Sequence, residues 1–176
     1  MSGKRGRKPS KDLVKSGERI LAWAQVTTIE EAEIFVVASA QALYIPSLNQ
    51  WGGTDQMRRL PWRVIDRAHW ESPMLTVVAG EDGADRTWRI DLLNPGNLPE
   101  FVRERVMAMI VVSEHVLLAG DQGVRLVARR PEFDVDADVG YDWSMTFDPG
   151  LDSSDPDIGA AAQRALTHLR NTFGVY

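Results

Sequence analysis

A chain of 176 residues is long enough to bury a core without staples, and the absence of cysteine excludes disulfides, thiolate nucleophiles and cysteine-bound zinc. The net charge of −5 hides an asymmetry: residues 1–19 hold seven basic and two acidic side chains, a balance of +5, so the rest of the chain carries −10. An acidic body repels phosphate backbones and anionic membranes at long range, which leaves the N-terminal stretch or a local patch to bind them.

Residues 1–17 carry Gly, Pro, Ser and Lys without apolar periodicity, the composition of a disordered basic tail. The tail lacks the apolar stretch of a secretion signal, and no later run approaches the roughly 20 apolar residues of a transmembrane segment, so a cytoplasmic protein is expected. Lys4-Arg5-Gly6-Arg7-Lys8-Pro9 resembles an AT-hook, with Lys8 standing between the Arg-Gly-Arg and the proline. The resemblance implies that Lys4, Arg5, Arg7 and Lys8 contact nucleic acid in an A·T-rich minor groove; charge alone would equally bring them to an anionic surface. A DNA-associated protein is the alternative reading, and in it nucleic acid would bind through this tail only.

From Arg19 to Val26 the pattern is strand-like, with Ile20, Ala22 and Ala24 opposed to Leu21 and Trp23. Ile34 to Ala40 and Gln41 to Ser47 predict a pair of buried strands joined near Ser39–Gln41. Asn49 to Gln56, with Trp51 beside Gly52 and Gly53, predicts a loop whose tryptophan either marks a partner-binding tip or folds back as a plug. Met57 to Ser72 predicts one long bent strand. Leu60, Trp62 and Val64 alternate with Arg59, Pro61 and Arg63, the phase slips near Val64–Asp66 as a bulge would make it, and Pro61 favours a sheet edge. Met74 to Ala79 and Thr87 to Leu93 predict a hairpin with Trp88, Ile90 and Leu92 on one face.

Asn94-Pro95-Gly96-Asn97 ends that pattern, and a helix is predicted near 98–112, with Pro99 and Glu100 in its first turn and Phe101, Val102, Val106, Met109 and Ile110 on one stripe. His115–Ala119 and Val124–Arg129 predict a second hairpin around Gly120–Gly123, with Arg125, Arg129 and Arg130 expected on its surface. These arginines are candidate partner-binding residues, or edge charges that block aggregation. Trp143 to Asp148 predicts a last strand, and Asp155-Pro156 opens a C-terminal helix near 156–173 that Gly174 ends.

The search for chemistry excludes more than it finds. Asp134, Asp136 and Asp138 alternate like the first ligands of a calcium loop, but Val139 stands where that loop needs glycine and Met145 where it needs a bidentate glutamate. Nucleotide cradles of the GxGxxG or GxxxxGK[ST] type are missing, and His69, His115 and His168 form no catalytic spacing. No metal, no cofactor and no enzyme activity are expected. An enzyme would need His69 or His115 beside a carboxylate in a pocket.

The succession of bent strands and amphipathic helices resembles the bacterial pleckstrin-homology-like (PH/GRAM-like) folds. The residues that carry the resemblance are GERILAWAQV (Gly17–Val26), FVVASAQALYIPS (Phe35–Ser47), RLPWRVIDRAHWE (Arg59–Glu71) and TWRIDLL (Thr87–Leu93), within roughly residues 17–112. It implies an α+β fold: a strongly bent antiparallel sheet or partly open β-barrel, an inner helix near 98–112 and a capping helix near 156–173. It further implies a non-catalytic binding or scaffolding module, with a protein partner or a second copy of the chain engaged along a sheet edge or by loops at one barrel end. Three extra strands and a helix exceed the usual domain. With no Pro/Gly-rich linker after Val112, one body over 18–176 is expected, a core at 18–112 extended by 113–176.

Overall fold

The computed structural model describes residues 8–27, 33–48, 54–81, 84–131 and 140–175. The fold is α+β, and the chain divides into two compact units, Met1–Met107 and Ala108–Tyr176.

In the first unit seven strands form one antiparallel sheet: β1 (Ala22–Val26), β2 (Phe35–Ala38), β3 (Ala42–Leu48), β4 (Thr54–Pro61), β5 (Ile65–Glu71), β6 (Met74–Glu81) and β7 (Ala84–Asn94). Their order is β4-β3-β2-β1-β7-β6-β5, and the sheet curls strongly into a half-barrel. Period-2 patterning gives it two distinct faces. On the concave face lie Ala22, Ala24, Val36, Leu43, Ile45, Leu60, Leu75, Val77 and Ala79, all buried. The helix α1 (Leu98–Met109) follows β7 and buries Leu98, Val102 and Val106.

The long bent strand expected over 57–72 is broken in the middle. Pro61 ends β4, Trp62–Val64 makes one 3₁₀ turn, and β5 begins at Ile65 on the opposite edge of the sheet. Proline cannot donate to a ladder, and Trp62 is more stable buried at the turn than extended into solvent. Its side chain is 1% exposed, packs edge-on against Phe101 of α1 with ring centroids 6.3 Å apart, and donates its indole N–H to the Ser39 carbonyl at 3.2 Å. The expected phase slip is present as a register shift between Ile65 and Arg67 against β6.

The convex face is covered from the N-terminal side. Although residues 8–17 are polar, Leu13 and Val14 pack with Ile20, Trp23 and Met57 over Phe35, Val37, Ala42 and Tyr44. A short 3₁₀ turn at Lys11–Leu13, capped by Ser10, shapes this strap, and the Lys15 amide donates to the Tyr44 hydroxyl at 3.0 Å. A polar cluster fastens its far end. The Glu18 carboxylate, 8% exposed, accepts from Arg59 Nε at 3.0 Å, from Arg59 Nη2 at 2.8 Å and from the fully buried Ser39 hydroxyl.

The second unit is a three-stranded antiparallel sheet in the order β10-β9-β8, with β8 (Ile110–Ala119), β9 (Gln122–Arg129) and β10 (Asp142–Phe147), and the helix α2 (Pro156–Phe173) packed on one face. Its core is Val124, Leu126, Ala162, Leu166 and Leu169, backed by Val116, Leu118, Trp143 and Phe147. Asp155 caps α2 by accepting from the Asp157 amide at 2.8 Å, and Gly174 closes it at φ 63°, a left-handed position suited to glycine. The helix expected near 98–112 stops at Met109. The β-branched run Ile110-Val111-Val112 enters β8 instead, where the Arg130 amide takes the Met109 carbonyl at 2.9 Å.

Burial alone would raise the Glu18 carboxyl, but Ser39, Arg59 and Tyr44 as hydrogen-bond partners outweigh it and hold the group below its ordinary 4.5. A depressed folded value contributes stability above the ordinary carboxyl range that is lost as pH falls through the folded value. Glu18→Gln should therefore lower stability near neutral pH by about 1–2 kcal/mol, a figure discounted because Arg59 is partly exposed. As pH falls through the depressed Glu18 value, below the ordinary 4.5, the variant and the parent should converge. Urea denaturation midpoints across pH check this, and parallel curves with a constant offset would contradict it.

Candidate functional site

Two cation-lined clefts and one polar sheet face stand out among the described residues. The first cleft lies on the concave face of the half-barrel. Ile45 and Ile90, 2% and 6% exposed, line it together with Pro46. Arg58 sits directly across from Ile45 in the β3–β4 register, hence on the same face. Arg86 and Trp88 share the phase of Ile90 along β7, facing Ala79 and Val77 of β6. Ser47 and Arg89 complete the lining, and the cavity holds about 340 Å³.

The second cleft, about 400 Å³, runs along the strap and is lined by Lys8, Lys11 and Arg19 together with Glu18, Val14, Leu21 and Trp23. Glu18 is already committed to Arg59 and Ser39, so the charge left facing this cleft is cationic. Lys8 and Lys11 are exposed.

In the second unit, strand alternation sends Ser113, His115, Arg125, Val127, Arg129, Ser144 and Thr146 to the face opposite α2. His115 Nε2 lies 2.8 Å from Asp148 Oδ2, and the Gly123 amide donates to that same oxygen at 2.7 Å. The Gly123 N–H first, and His115 second, hold the Asp148 carboxyl below its ordinary 3.8. Arg125 Nη1 reaches Ser113 Oγ at 3.4 Å, and Arg129 Nη1 reaches Ser144 Oγ at 3.2 Å. These contacts pin neighbouring strands to one another. His115 thus does meet a carboxylate, but it lines neither cleft; His69, at 3.9 Å from Glu71, is exposed.

Of the candidates read from the sequence, Lys4, Arg5, Arg7 and Trp51 lie outside the described residues, as do Asp134, Asp136 and Asp138. Lys8 joins the strap cleft. Arg125 and Arg130 are exposed as expected, whereas Arg129, expected on the surface, is 7% exposed and donates through Nη1 to Ser144 Oγ of β10. No group of three or more metal-ligating side chains gathers among the described residues, and no helix among them is long and apolar enough to cross a membrane. Sequence reasoning placed Trp88 on the apolar face of its strand but named none of Arg58, Arg86 and Trp88 as a site residue. The signal that would have found them is a cation in the apolar phase of its strand, Arg58 with Leu60 and Arg86 with Ile90 and Leu92. No family model, no curated protein and no solved structure matches this chain.

Gly123 tests how tightly the hairpin of the second unit is built. A Cβ there would stand 2.2 Å from the Val116 carbonyl oxygen, a backbone atom that cannot step aside. Gly123→Ala should therefore cost about 1–3 kcal/mol. Asp148→Asn should leave the fold intact but speed exchange of the Gly123 amide, because a neutral oxygen accepts more weakly than a carboxylate. In the parent, the same amide should lose protection as pH falls through the depressed Asp148 value, below 3.8. Thermal unfolding and hydrogen exchange read both effects, and an unchanged Gly123 exchange rate in the Asn variant would contradict the second.

Proposed function

We propose that the chain is a non-catalytic binding or scaffolding module of pleckstrin-homology-like architecture that works in the cytoplasm on a protein partner or a second copy of itself. The observation that carries this reading is the unclosed sheet. Because the half-barrel ends in β4 on one side and β5 on the other, each terminal strand offers one backbone edge with no ladder partner among the described residues. An open edge is a template for strand addition. Along β5 only Ile65 is buried, so an added strand would lie beside alternating exposed side chains, Arg67, His69 and Glu71, that set which sequence fits. Two of the polar pairs among the described residues have structural work: Glu18 with Arg59 fastens the strap to β4, and His115 with Asp148 ties β8 to the end of β10.

Sedimentation from micromolar to near-millimolar concentration, combined with hydrogen exchange, tests this. Self-association or a captured protein should slow exchange of amides in 65–71 or 54–61 above all others. A monomer at every concentration with no captured partner, or protection confined elsewhere, argues against it.

The strap cleft favours a second reading, a DNA-associated protein held by its basic tail. Lys8, Lys11 and Arg19 line one cleft, and in the sequence Lys4, Arg5 and Arg7 precede them. Deleting residues 1–7 leaves Leu13 and Val14 in place, so the fold survives the test. The full chain should prefer A·T-rich over G·C-rich duplex with a steep salt dependence, and the deletion together with Lys8→Glu should abolish both. Equal weak binding to the two duplexes would end this reading.

A further inference from the structure

We propose that the open edge of β5 pairs antiparallel with β5 of a second copy of the chain, in the register that centres on His69. This rests on the strand-edge reading and deepens it by naming the occupant and its alignment. Of the two terminal strands, β4 ends in Pro61, which cannot donate to a ladder, and its Arg59 is already committed to Glu18. β5 holds no proline, and its convex side chains stand in water, His69 at 74% and Glu71 at 86% of full side-chain exposure. Arg67 is exposed and meets no polar partner among the described residues, while Glu71 stands 3.9 Å from His69.

The hairpin determines which backbone groups of β5 are free. β5 turns into β6 through Ser72 and Pro73 alone, so Glu71 and Met74 flank the loop as a hydrogen-bonded pair. Alternation then gives His69 and Arg67 to β6 as well, and leaves the N–H and C=O of Ala68 and Trp70 pointing out of the sheet edge. A two-fold axis at His69 sets Ala68 of each copy against Trp70 of the other, so the outward groups meet and exchange hydrogen bonds. These two residues are half-buried on the concave side, where the large indole faces the small methyl. On the convex side Arg67 of each copy falls opposite Glu71 of the other, in the non-hydrogen-bonded pairs where side chains approach most closely. Both ion pairs form at once because His69 lies midway between Arg67 and Glu71. Moving the centre back to Ala68 sets Arg67 against His69 and the buried Ile65 against Glu71; moving it on to Trp70 carries Arg67 past the strand end to Pro73.

The test is sedimentation of the full chain up to near-millimolar concentration, with hydrogen exchange to locate the contact. The parent should self-associate and protect 65–71. Arg67→Glu or Glu71→Arg alone puts like charges directly opposite at both ends of the pairing and should weaken association at least about tenfold. An equimolar mixture of the two variants should associate like the parent, because the pairs between unlike copies are again opposite in sign. The chain has no cysteine, so His69→Cys introduces the sole thiol. Across a non-hydrogen-bonded pair the two Cα atoms stand about 4.5 Å apart, within disulfide reach, and oxidation with diamide should join two chains there. Arg67→Cys, whose position faces Glu71 and not itself, should stay largely uncrosslinked.

Charge variants that associate as well as the parent, a mixture that stays apart, or cross-linking at position 67 and not at 69 would each overturn this register; protection of 65–71 would then leave the strand-edge reading standing. A chain that is monomeric alone but protects 65–71 on capturing a different protein overturns the proposal and likewise spares that reading. A monomeric parent with 65–71 unprotected under all these conditions ends both.

Discussion

Ser39 is the point at which the first unit is tied together. Its carbonyl accepts the indole N–H of Trp62, while its hydroxyl accepts the amides of Gln41 and Ala42 at 3.1 and 3.0 Å and donates to Glu18. The residue has no exposed surface, so none of these bonds can be exchanged for water. One residue, through its hydroxyl and its carbonyl, therefore fixes the β2–β3 turn, the outer strap through Glu18, and the crossover at Trp62–Val64 that carries the chain from one edge of the sheet to the other. Removing any partner strands another in a buried place, which is why the cluster acts as a unit.

That node also explains why the sheet has two covered faces. On the convex side, Leu13 and Val14 are held down by the Lys15–Tyr44 and Glu18–Arg59 contacts that follow them in the chain, in a short segment that could not stay there on two apolar contacts alone. On the concave side, Trp62 and Phe101 bring α1 against the strands. The sheet curls around that contact and stops short of closing, and the cleft with its cations lies on the same inner face.

Local chemistry was legible in the sequence, whereas the distant pairings were not. The hairpins of β6–β7 and β8–β9 and the capped helix α2 were read correctly because alternation, turn residues, an Asp N-cap and a C-terminal glycine are signals within a few positions of one another. The central strand was misread because Leu60 and Trp62 keep their alternation straight through the turn: both are buried, one at the end of β4 and one in the 3₁₀ turn. Nothing local says that the strands before and after it belong at opposite edges. The strap was invisible for the converse reason, since two apolar residues among lysines carry no period. Arg129 looked like a surface charge until Ser144, fifteen positions away, was placed beside it. The clefts are assembled from β3, β4 and β7 or from the strap, so no window of sequence contains either.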